Sequence, residues 1–149
     1  MENNTKKFSP RYQSRELSLK VLFSYSQNKR VWIDENFKYM KENFFPKLKK
    51  VELAEQILEK FITNKEKISD IVKEFASKWD FDKQNPIDVT ILELLITEIL
   101  FLDTPDRVAV SEYLSLTSEY SKDNSCSFVN WVAAQVIKKY GESSEAIRD

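Results

Sequence analysis

The stretch NPIDVTILELLITEIL, Asn85 to Leu100, decides the fold class. Asparagine followed by proline marks a helix start. The asparagine side chain can accept a bond from a free backbone N–H, and proline suits the first turn, where its missing N–H costs nothing. Ile87, Ile91, Leu94, Leu95 and Ile99 then recur at helical spacing. Charges interrupt the run, so it falls short of the roughly 20 apolar residues of a membrane span.

Similar punctuation recurs in both directions along the chain. Ser9-Pro10 opens a first helix with Leu19, Leu22 and Phe23 on one face, Tyr12 above them, and Arg11, Arg15 and Ser18 on a more polar stripe. A second helix runs from about Asp34 to Phe45, buries Phe37, Met40 and Phe44, and stops at Pro46. A third covers about Lys47 to Ile62, with Val51, Ala54, Ile57, Leu58 and Phe61 inward. Thr63 and Glu66 form a capping-box pattern before Ile68, Ile71, Val72 and Phe75, and Trp79 closes that helix. Thr104-Pro105 precedes Val108, Tyr113, Leu116 and Tyr120. The last helix begins near Ser125, carries Phe128, Val132, Ala133 and Val136, and ends at Gly141 as a left-handed cap. The expectation is an all-α bundle of seven helices in one domain over residues 9–141, between a flexible basic arm (1–8) and a flexible tail (142–149). No repeat of solenoid length is visible.

Scarce residues exclude several chemistries. Without histidine there is no Ser-His or Cys-His catalytic pair and no histidine metal site. Cys126 is the lone cysteine, so neither an internal disulfide nor a thiolate cluster can form. One glycine, Gly141, cannot make a dinucleotide fingerprint or a phosphate-binding loop. The polar, basic N-terminus lacks the apolar core of a secretory signal, and the expected compartment is the cytoplasm. A binding module, with no metal or cofactor, is favoured over an enzyme.

Charge is unevenly placed. Residues 1–30 sum to +5 although the whole chain is −1. Residues 80–119 hold nine acids against Lys83 and Arg107. The basic pole suits a polyanion and the acidic pole a positively charged partner.

Two blocks bear a resemblance to a known family. Arg15-Glu16 within SRELSLKVLF resembles the first-helix signature of the NusB transcription antitermination factors. WDFDK (79–83), ILELLITEIL (91–100), TPDRVAVSEYLSLTSEYS (104–121) and SFVNW (127–131) resemble that family's later motifs in order and spacing. The resemblance implies seven helices in two three-helix-like halves, as a monomer or homodimer. It also implies binding of boxA-type RNA from ribosomal-RNA leaders together with NusE, a small-subunit ribosomal protein, within the RNA polymerase antitermination complex. Departures from the family pattern are Ser14, Val89, Glu93, Ser111 and Trp131, and Lys83 stands for an arginine.

Arg11 and Arg15 are either an ordinary solvated face or, as the resemblance implies, RNA contacts, where a planar guanidinium holds phosphate or stacks on a base. Lys6 and Lys7 could add backbone contacts that ignore sequence. The resemblance also implies RNA roles for Phe128, Asn124 and Lys83; helix packing and capping are the plainer readings of Phe128 and Asn124. Asp88 and Phe23 match positions that face NusE, although Phe23 equally suits a core. Two other readings remain: a NusB-like protein-interaction module that has lost RNA recognition, and a helical accessory to an RNA methyltransferase.

Overall fold

In the computed structural model, residues 9–30, 32–78, 85–122 and 124–141 are described. Seven α-helices run through them: α1 (Pro10–Gln27), α2 (Ile33–Phe44), α3 (Glu52–Thr63), α4 (Lys65–Ala76), α5 (Pro86–Phe101), α6 (Asp106–Tyr120) and α7 (Ser125–Tyr140). The chain divides into two compact units, one ending at Glu59 and one starting at Lys60. The first holds α1, α2 and most of α3; the second holds the end of α3 and four complete helices.

In the first unit, the amide of Tyr12 donates to the Ser9 hydroxyl at 3.0 Å, and Pro10 occupies the first turn of α1. Helix α1 packs against α2. Every residue from Ser14 to Leu19 is buried, including Arg15 and Glu16, so the expected polar stripe is not a solvent face. The reason is visible in the sequence: Leu17 and Val21 lie opposite Leu19 and Phe23, so apolar residues on two sides of the helix draw its middle into the interior. By contrast, Asn36 is the one buried residue of α2, with its amide bonded to the Ser24 hydroxyl at 3.1 Å. Phe37 and Met40 are half-buried and Phe44 is exposed, which corrects the inward face expected for all three.

In the second unit α5 is central and packs against α4, α6 and α7. Ile91, Leu92, Leu94, Leu95 and Ile96 are fully buried, which explains why apolar residues surround this helix. Asn85 caps it as expected, its side-chain oxygen accepting from the amide of Ile87 at 3.2 Å. Two other expected caps fail. Thr63 belongs to α3, and the next helix begins at Lys65, with Asn64 at the cap position making no side-chain cap bond. Thr104 makes no cap because its hydroxyl donates to Glu98 at 2.7 Å, so Pro105 stands at the cap position. Val108 is exposed, not inward.

Gly141 ends α7 with φ −73°, so it is not a left-handed cap. Its role is space: a Cβ there would collide with the Asp106 carboxylate and lie 2.7 Å from the carbonyl oxygen of Ile137. Trp79, Lys83, the arm and the tail lie outside the described residues.

Candidate nucleic-acid interface

The basic element begins at the start of α1. Arg11 is exposed there, no acid occupies the first turn, and the free N–H groups of a helix start favour an anion. A phosphate could meet a guanidinium and a positive dipole end together. Arg15, one turn further on, is only 1% exposed. Its guanidinium therefore lies inside the fold, and the expected surface contact with RNA is not open to it in this conformation. Lys20 follows on α1, half-buried, with its ammonium 4.8 Å from the centre of the Phe44 ring. That is cation–π range.

In the second unit, Asn124 is exposed at the start of α7, which also lacks acids in its first turn and has no side-chain cap. Ser127 and Asn130 are exposed on that helix, and Lys122 precedes it. Phe128 is 4% exposed and packs in the core, so no base can stack on it as the helix stands. The packing reading of Phe128 is the one this conformation matches.

Asp88 departs most from the expected role. It is buried, not partner-facing. The hydroxyl of Ser125 donates to one carboxylate oxygen at 2.6 Å, and the hydroxyl of Ser121 donates to the other. The Asn85 side-chain amide in turn approaches Ser121 at 3.5 Å. One carboxylate thus ties the first turn of α5 to the end of α6 and the start of α7. A negative group near the start of α5 also complements its dipole. The effect is to fix the corner from which Asn124 projects.

Glu98 repeats the device near the other end of α5. It is fully buried, with one oxygen bonded to Thr104 and the other to the Tyr113 hydroxyl. Asp106 is buried as well. Of the seven described acids in residues 80–119, Asp88, Glu98 and Asp106 are therefore interior, while Asp103 and Glu119 remain exposed, so part of the acidic run does not reach the surface. Phe23 is half-buried. The sequence reading took Thr104 and Ser125 as helix-start signals and Tyr113 as an apolar-face residue, and gave Ser121 no role of its own. It did not foresee their bonds to Glu98 and Asp88, because nothing local marks which acceptor a hydroxyl meets in the fold.

Among the described residues no cluster of three or more acidic, cysteine or histidine side chains could hold a metal, and no helix is long and apolar enough to cross a membrane.

The fold is similar to that of T. maritima NusB, with a TM-score of 0.77 at 24% identity, covering 89% of this chain and 94% of that one. It is also similar to a chain in a crystal structure of antitermination factors NusB and NusE in complex with dsRNA, with a TM-score of 0.78 at 21% identity over 89% and 99% of the two chains. In sequence, the transcription antitermination protein NusB of Clostridium novyi is 38% identical over 131 residues, covering 86% of this chain and 98% of that relative. A model of the NusB family matches residues 12–138. With the family match spanning both units, this all-α chain belongs to the NusB family, whose relative just described is a transcription antitermination protein.

Proposed function

We propose that this chain works as a scaffold, binding boxA-type single-stranded RNA and NusE and carrying both into the RNA polymerase antitermination complex, in the cytoplasm. No bond is made or broken; the product is proximity. The observation that carries the reading is Arg11, exposed on an acid-free helix start in a chain of this family. Lys6, Lys7, Lys83 and Asn124 are proposed as further RNA contacts. Arg15 supports α1 from inside the first unit, and Phe128 supports α7 from inside the second. Asp88 holds the helix corner beside Asn124, and Phe23 is the proposed NusE contact.

Phosphate neutralisation makes such binding salt-dependent, with each contact contributing roughly 0.7 to the log–log slope for a single strand. Arg11→Ala should weaken binding to a labelled boxA-type RNA and flatten the salt slope by about that amount. An unchanged affinity and slope in the folded variant would contradict this role. The burial of Arg15 and Phe128 favours a second reading, a protein-interaction module without RNA recognition. That reading predicts NusE binding with no salt-sensitive RNA binding.

A further inference from the structure

Three large aromatic side chains stand in solvent along one short segment. Trp32, just before α2, is 74% exposed; Tyr39 is 58% exposed and Phe44, at the end of the helix, 53%. Trp32 and Tyr39 are seven residues apart, two helical turns or about 10 Å along the axis. That spacing gives each ring room for its own stacked partner. Neither ring is needed for the packing of α2, which rests on Asn36 and the half-buried Ile33, Phe37 and Met40. Clustered apolar exposure of this kind marks a surface that meets something.

Charge decides what it meets. Residues 20–50 carry eight Lys or Arg against Asp34, Glu35 and Glu42, a local balance of +5 in a chain of −1. Lys29 and Arg30 are exposed immediately ahead of Trp32, and Lys20 already sits over the Phe44 ring. A second copy of this chain would bring +5 against +5, and a basic ribosomal protein would be repelled as well. Aromatic faces beside cations suit a single strand, whose bases stack on the rings while its phosphates meet the Lys and Arg groups. Glu35 and Glu42 flank one side of the ring pair on α2, so the backbone would run by way of Lys29 and Arg30.

We propose that Trp32 and Tyr39, with Lys29 and Arg30 ahead of them, form a second, sequence-tolerant platform for single-stranded RNA, taking nucleotides that flank the boxA-type element. It deepens the RNA reading above and rests on it.

The test uses the full chain and two labelled single strands, a short boxA-type element and the same element extended on both sides by adenosines. Wild type should bind the extended strand more tightly. Trp32→Ala with Tyr39→Ala should remove that gain, roughly 5-fold or more per ring, and leave the short element unaffected. Trp32→Phe with Tyr39→Phe should keep most of it. Equal affinity of wild type for both strands would overturn the platform while leaving the boxA reading standing. Binding of the extended strand alone, lost on removing the rings, would support the platform and sink that reading. Wild type binding neither strand overturns both. Ring removal that abolishes self-association and spares RNA binding would assign the surface to a second copy and overturn the proposal. As a measurement free of variants, photocrosslinking an iodouridine-extended strand to wild type should label Trp32 or Tyr39, and labelling confined elsewhere would contradict it.

Discussion

Asp88 and Glu98 lie on the same buried helix, and each has both carboxyl oxygens bonded to hydroxyl groups. A buried carboxylate that loses its donors, or hydroxyls that lose their acceptor, bear a desolvation penalty with nothing returned. Asp88→Ala should therefore lower stability by about 2–3 kcal/mol, read as a drop in the urea midpoint with the slope unchanged. Wild-type stability in that variant would mean the Ser121 and Ser125 bonds contribute nothing. Asp88→Lys should unfold the protein more readily instead of selectively weakening NusE binding. The sign of this residue's charge was legible in the sequence, but its position was not. Its partners are 33 and 37 residues away, and only the packed fold brings them together. Arg15 teaches the same lesson in reverse: its spacing from Arg11 marked a charged stripe, while Leu17 and Val21 on the opposite side already pointed to burial.

Helix starts were legible wherever the capping side chain had no competing partner. Ser9 and Asn85 both take the bonds that their sequence context predicts. Ser9→Ala should lower stability by about 1 kcal/mol, and an unchanged melting curve would show that the cap is redundant. Thr104 was misread because Glu98 engages its hydroxyl, and Thr63 because it is the last residue of α3, which leaves Asn64 at the cap position with its side-chain amide donating to the carbonyl of Lys60. Such choices depend on which acceptor is nearer in space. Helices α4 and α7 are further joined by Lys139, whose ammonium donates to Glu74 at 2.7 Å. The hydrogen bond to Glu74, with a smaller one to Tyr140, raises the Lys139 pKa above 10.5. A raised lysine pKa stabilises the fold below the unfolded value and ceases to do so as pH rises through the folded one. The stability gap between wild type and Lys139→Met should hold at neutral pH and close above pH 10.5; a gap constant to higher pH would assign it to packing.

On the scale of the molecule, the seven-helix class, the helix order and most inward faces followed from periodicity and caps, because apolar spacing reports burial directly. The binding surface did not follow in the same way. Net charge along the chain counts interior groups such as Arg15, Glu98 and Asp106 as if they were outside. What remains outside at the described basic end is Arg11, with the exposed rings and cations around α2. The proposed scaffold would act through linkage: whatever factor NusE adds to RNA affinity, RNA must add to NusE affinity. The most direct test is a titration of labelled boxA-type RNA into the full chain, with and without saturating NusE, at two salt concentrations. The account predicts salt-sensitive binding that NusE tightens, with the reciprocal titration giving the same factor. RNA affinity that is absent with or without NusE, or indifferent to both salt and NusE, would contradict it.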